Sequence, residues 1–174
     1  IDTKDAEKVI ATLPDIKVEL KFVDGAQHVF LNGEDVSEAI RTPEASMGAS
    51  NVSAIPKVRE FLFDLQRKIA AENDCIMDGR DIGTVVLPNA DVKIFLTTSV
   101  EERANRRYKE MIEKGEEADY NDILEDIKKR DYQDSHREIA PLKQADDAIY
   151  VDNGGYNLEE GAEDLLRIIK EHLK

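Results

Sequence analysis

The tetrapeptide Asp78-Gly79-Arg80-Asp81 follows directly on the apolar run Cys75-Ile76-Met77. If that run is a strand, the tetrapeptide lies at its carboxyl end, where open α/β sheets bind ligands. Glycine lets the backbone turn tightly, and the Arg80 guanidinium can fork onto a phosphate or a carboxylate. The same four residues also suit a plain polar strand-to-helix turn with a local Arg/Asp pair. A second group, Arg103, Arg106 and Arg107, is spaced so that one helical face carries all three guanidiniums, a pattern suited to a polyanion. Glu102 and Glu110 lie within one turn of Arg106 and could equally neutralise it as solvated helix pairs. A third group, Arg130, Asp134 and Arg137, aligns if its helix continues through Arg137; two arginines around one carboxylate can hold a sugar hydroxyl and a phosphate, or form an ordinary ion-pair ladder. Ser50 and Arg59 carry no signal alone, one suiting a cap and the other a helix surface. His28, His136 and His172 lack metal-ligand spacing, so no metal site is expected, and no Gly-x-Ser-x-Gly elbow offers a hydrolytic nucleophile.

The elements that must position these residues follow from periodicity and turn chemistry. Lys4 to Leu13 reads as a short helix. The alternating runs Val18 to Phe22 and His28 to Leu31 flank Asp24-Gly25, a hairpin turn, and Asn32-Gly33 follows to make a meander of about three strands. Val58, Phe61, Leu62, Leu65 and Ile69 share one face of a helix from Pro56 to Ala71. Cys75 to Met77, Val92 to Leu96 and Ala148 to Val151 read as buried parallel strands. Ser99 with Glu102 forms a capping box for a helix toward Gly115; Asp119 or Asn121 caps a helix through Arg130, and Leu158 to Leu173 is a terminal amphipathic helix. The class is therefore α/β, a mostly parallel sheet flanked by helices with a small antiparallel β piece. The two arginine-bearing helices flank Gly115, and such a hairpin over an anion would be a lid.

Composition narrows the partners. The chain of 174 residues has 24 Lys and Arg against 38 Asp and Glu, a net charge of −14, which argues against binding nucleic acid through phosphate neutralisation. The single cysteine, Cys75, permits no internal disulfide and fits a reducing cytoplasm. No run reaches the roughly 20 apolar residues of a membrane span, and the opening residues do not form a signal peptide, so a soluble cytoplasmic chain with no membrane partner is expected. A monomer is the default expectation.

Read in order, Val29-Phe30-Leu31-Asn32-Gly33-Glu34-Asp35-Val36, Ile40-Arg41-Thr42-Pro43-Glu44, Val58-Arg59-Glu60, Met77-Asp78-Gly79-Arg80-Asp81-Ile82-Gly83-Thr84-Val85-Val86, Lys93-Ile94-Phe95-Leu96, Glu102-Arg103-Ala104, Arg106-Arg107-Tyr108, Arg130-Asp131 and Ala140-Pro141-Leu142 resemble the bacterial cytidylate kinase family. The resemblance runs from about Val29 to the C-terminus. It implies a P-loop nucleoside monophosphate kinase fold and ATP-dependent phosphorylation of CMP and dCMP, with Mg²⁺. It also implies a division into residues 1–55, an N-terminal helix with the antiparallel insert that closes over CMP, and 56–174, a kinase core with a helical lid at about 103–137. The family's cytosine contacts are matched by Ser50, Arg59 and Asp81, whose donors and acceptors suit the cytosine edge. Its ribose and phosphate contacts are matched by Arg130, Asp134 and Arg137. Arg80 with Arg106 and Arg107 is similar to the set that clamps the phosphates in transfer. Arg80, Arg106, Arg107 and Arg137 are thus the expected catalytic residues.

One departure is plain. The family's Gly-x-x-x-x-Gly-Lys-Ser/Thr loop, which cradles the ATP phosphates and binds Mg²⁺, has no counterpart in this sequence, so no ATP-contacting residue is named. Ile1-Asp2-Thr3 resembles a family segment interrupted after threonine, which implies further residues before Ile1 and after Thr3. If the chain is the whole polypeptide, it is expected to bind CMP weakly and not to turn over ATP. A non-catalytic or truncated nucleotide-binding domain, and a kinase for another nucleoside monophosphate, are the alternatives.

Overall fold

In the computed structural model, which describes residues 1–173, Asp5 accepts the Lys8 amide and opens α1 (Ala6–Thr12). Three strands follow, β1 (Val18–Val23), β2 (Ala26–Leu31) and β3 (Glu34–Asp35), as an antiparallel meander. Val18 lies opposite Leu31 and Val23 opposite Ala26, so Asp24-Gly25 forms the two-residue turn with φ of 50° and 83°. Asn32 and Gly33 repeat that positive-φ pair before β3. The meander is pinned by polar groups: Ser37 donates to Asp35 while accepting the Val29 amide, and His28 Nδ1 lies 2.6 Å from Asp35.

Two helices complete this part, α2 (Pro43–Ser53) and α3 (Pro56–Glu72). Helix α2 is not foreseen from periodicity, yet its signal is local: Thr42 accepts the Ala45 amide and Pro43 occupies the first turn. Val9, Ile55 and Val58 form a core with Leu13, Val52 and Leu62 packed on it. The chain divides into two compact units, the first spanning Ile1–Asp74 and the second starting at Cys75. The division falls after α3 because the Val58/Leu62 face of that helix closes the core of the first unit.

The second unit opens with a correction. Cys75 to Met77 is not a strand, and both Cys75 and Ile76 are exposed, Ile76 at 91%. A strand exists only where a neighbour takes its backbone bonds, and none pairs with this triplet among the described residues. The parallel sheet consists of β4 (Ile94–Thr97) and β5 (Ile149–Asp152), with Ile94 opposite Ile149 and Thr97 opposite Asp152. A parallel strand pair, helices and a small antiparallel sheet bear out the expected α/β class. Between turn 78–81 and β4 lies a π-helical turn, Ile82–Val86, with the Leu87 amide bonded back to Ile82. Lys93, its side chain buried, binds Asp147 at 2.6 Å and the Pro88 carbonyl, fastening this segment to the approach to β5.

Ser99 caps α4 (Val100–Glu113) by accepting the Glu102 amide, while the Glu102 side chain turns to Arg106 at 3.4 Å. The helix ends in a Schellman turn, with Gly115 at φ 76° and Glu116 N bonded to Met111 O. Asp119 caps α5 (Tyr120–His136) through the Asn121 and Asp122 amides, settling the choice between the two capping candidates. This helix outlasts Arg130 by more than a turn but stops before Arg137. A reciprocal capping box between Asn157 and Glu160 opens α6 (Leu158–His172). No helix is long and apolar enough to cross a membrane among the described residues.

Two outcomes test this frame. The Ser37 hydroxyl and amide, then His28, hold the Asp35 carboxyl down at about 2. A depressed carboxylate adds stability above its ordinary value near ~3.9 and loses it as pH falls toward 2; a carboxyl chemical-shift titration should place the Asp35 midpoint near 2, and a midpoint near ~4 refutes the pinning. At Gly79, an added Cβ would stand 2.8 Å from Ile82 Cγ1. Gly79→Ala should therefore lower stability by about 1–3 kcal/mol in urea unfolding, and an unchanged midpoint contradicts that packing.

Candidate functional site

Two buried carboxylates engage three arginines of the second unit. Asp134, on the last turn of α5, has its side chain 6% exposed and receives Arg80 Nε at 2.9 Å. Arg130, one turn earlier on the same helix, approaches the same oxygen at 3.9 Å. Asp81, also buried, faces Arg137 Nη2 at 3.7 Å. Turn 78–81 and the end of α5 are therefore joined through two Arg/Asp contacts, each crossing between the two segments. Burying an ionised carboxylate is costly unless it is paired, and guanidinium is the partner that keeps its charge at every working pH.

The arrangement differs from simple alignment along one helix. Arg137 is the C-cap of α5, with extended backbone at φ −66° and ψ 143°, so it leaves the line of Arg130 and Asp134 and turns to Asp81. The second strong arginine on Asp134 is instead Arg80. What ends the helix is the loop behind it: Leu142 N bonds to Asp134 O at 2.7 Å, and Arg137 Nε donates to Ala140 O at 2.6 Å. Ala140 sits at φ 48°, a conformation rare outside glycine and here held by the returning chain. The Ala140-Pro141-Leu142 segment is thus part of the site's support, a role that spacing did not disclose.

The arginines of α4 do not form one face toward a common anion. Arg103 grips Asp131 on α5 with two bonds, of 2.9 and 2.6 Å. Arg106 donates to the Asn153 carbonyl at 2.8 Å, beyond the end of β5, besides its contact with Glu102. Arg107 pairs with Glu110 at 3.0 Å on its own helix. Of the two acids considered for Arg106, Glu102 takes it and Glu110 takes Arg107. Asn153 and Asp131 are the contacts that sequence reasoning missed; Arg130-Asp131 was noted as a motif, but its partner lies 28 positions away.

Ser50 and Arg59 belong to the first unit, on α2 and near the start of α3, both partly buried. Ser50 offers its carbonyl to the Ser53 hydroxyl at 2.8 Å. Among the described residues no group of three or more His, Cys, Asp or Glu is placed to hold a metal ion. Asp81 and Asp134 are already engaged by guanidiniums, so the acids at this cluster do not fit a protein-held Mg²⁺. Chemically, the cluster offers fixed cationic donors at a turn and a helix end, a match for a phosphorylated ligand.

Comparison with known proteins agrees with that chemistry. A family model described as cytidylate kinase matches residues 1–171. A cytidylate kinase of Caldicellulosiruptor bescii is 49% identical over 174 residues, all of this chain and 77% of that protein. Cytidylate kinases of Lactobacillus gasseri and of Streptococcus agalactiae serotype V are 48% and 50% identical, covering 100% and 91% of this chain and 76% and 70% of theirs. A match that runs nearly end to end, across both units, leaves one conclusion: the chain belongs to the cytidylate kinase family.

Proposed function

We infer that this chain catalyses ATP-dependent phosphorylation of CMP, and of dCMP, to the diphosphates. The observation that carries the inference is the pair of buried carboxylates, Asp81 and Asp134, that hold Arg137, Arg80 and Arg130 at one turn and one helix end. The whole-chain similarity to proteins named as kinases supports it over a non-catalytic binding domain. ATP is the donor, and the Mg²⁺ that accompanies its phosphates is proposed only as the donor's counterion.

In this scheme an oxygen of the CMP phosphate, already ionised near neutral pH, attacks the γ-phosphorus in line, and the bond to the β-phosphate oxygen breaks as the new bond forms. No side-chain base is needed. The chain's task is to orient the acceptor and to stabilise charge spread over the transferring group. Arg130, Asp134 and Arg137 are proposed to hold the acceptor phosphate and ribose, and Arg80, held in place by Asp134, to join Arg106 and Arg107 in clamping the phosphates in transfer. Arg80 spends Nε on Asp134, and a guanidinium has five donors, more than one carboxylate oxygen can take. Arg106 and Arg107 are proposed phosphate clamps from α4, which requires each to exchange its present partner for phosphate. Ser50, Arg59 and Asp81 are proposed individually as cytosine contacts.

The remaining partners follow from composition and geometry. The net charge of −14 supports small nucleotides rather than nucleic acid as ligands. The exposed thiol of Cys75 supports a reducing, cytoplasmic setting.

A coupled ADP-release assay with Mg-ATP and CMP, dCMP, UMP or AMP should show turnover selective for the cytidine nucleotides. Absence of turnover with every acceptor, from folded protein, withdraws the enzyme. Asp81→Ala should cut the CMP-to-UMP preference in kcat/KM by about tenfold or more; the ratio is the relevant quantity because Asp81 also neighbours Arg137. Arg137→Ala should lower kcat/KM about a hundredfold for every acceptor, and a loss confined to one base contradicts its sugar-phosphate role.

A further inference from the structure

We propose that Asp131 is a positioning residue for phosphoryl transfer: by gripping Arg103 across the α4–α5 hairpin, it sets the register between the arginines of the two helices. This rests on the kinase function inferred above. Arg103 Nη1 and Nη2 donate separately to the two oxygens of Asp131, at 2.9 and 2.6 Å. A fork against a planar carboxylate fixes orientation as well as distance, which a single bond does not. Arg107–Glu110, Lys114–Glu110 and Lys128–Glu125 each join residues three or four apart on one helix and cannot set the position of one helix against the other.

A second fastening lies nearer the connecting turn, where Tyr108 on α4 meets Tyr120 on α5 edge to face, ring centroids 6.4 Å apart at 83°. Two separated contacts of different chemistry hold the hairpin as one body. Asp131 is next to Arg130 and within one turn of Asp134, and Arg103 is one turn from Arg106 and Arg107, so the clamp stands beside the arginines of both helices. Slippage here would displace one arginine group relative to the other without removing any substrate contact. Both side chains are about one-third exposed, Arg103 at 36% and Asp131 at 30%, so the pair adds little to overall stability and its loss leaves a folded protein in which register can be read.

The test measures kcat and KM for CMP and ATP, with thermal unfolding, in Asp131→Ala, Asp131→Asn, Arg103→Ala and the double alanine variant. A register role predicts kcat lower by about tenfold to a hundredfold, with KM for CMP within about threefold of the unaltered protein. The double variant should be no slower than the slower single, because both substitutions break the same link. Asp131→Glu, which keeps a carboxylate, should recover part of the loss. Unchanged kcat in Asp131→Ala, a loss expressed in KM, or losses that multiply in the double variant would each overturn the proposal. An unaltered protein inactive toward CMP refutes the kinase function instead. Amide hydrogen exchange then still tests the clamp: exchange should quicken in both α4 and α5 of Asp131→Asn, and unchanged exchange refutes it.

Discussion

Two carboxylates buried in the second unit, Asp81 and Asp134, impose the condition on which the site depends. A carboxylate removed from water must be paired, and here the partners are arginines delivered by a turn and by the end of a helix. Gly79 is required because a side chain there would collide with Ile82. Helix α5 ends where it does because the chain returns through Ala140 and Leu142 to bind Arg137 and the Asp134 carbonyl. The cations are therefore positioned by the protein's own carboxylates, the preorganisation that the proposed phosphate-binding role requires.

The same logic reconciles an acidic chain with an anionic substrate. A net charge of −14 repels polyanions in general, while guanidiniums held by their own carboxylates keep local cationic donors at one place. Arg106 and Arg107 are differently disposed. Arg106 is shared between Glu102 and the Asn153 carbonyl, and Arg107 pairs with Glu110 on its own solvated helix face, so neither is held by a buried carboxylate.

Much of the frame was legible because its signals are local. Asp24-Gly25 marked the hairpin, Ser99 and Asp119 marked helix starts, and the Val58 to Ile69 spacing marked α3. The Thr42-Pro43 cap of α2 is equally local, but the helix behind it lacks the apolar periodicity that marks α3. Other features are decided at a distance and could not be read. Cys75 to Met77 has the composition of a buried strand, but composition does not supply the neighbour that makes one. The departure of Arg137 from the α5 line depends on the returning loop, and the Arg103–Asp131 clamp depends on how two helices pack. Motif order singled out Arg80, Asp81, Arg130, Asp134 and Arg137 as candidates; the pairing among them is a property of the fold.

The most direct test of the central claim, that the guanidiniums organised by Asp81 and Asp134 receive the acceptor nucleotide, is a CMP titration followed through the arginine Nε–Hε signals in an NMR spectrum. Saturable shifts of Arg80, Arg130 and Arg137, with little change at Arg167 on α6, whose partners are Asp164 and Glu171, are the predicted result. Shifts absent from those three while CMP binds elsewhere would contradict it.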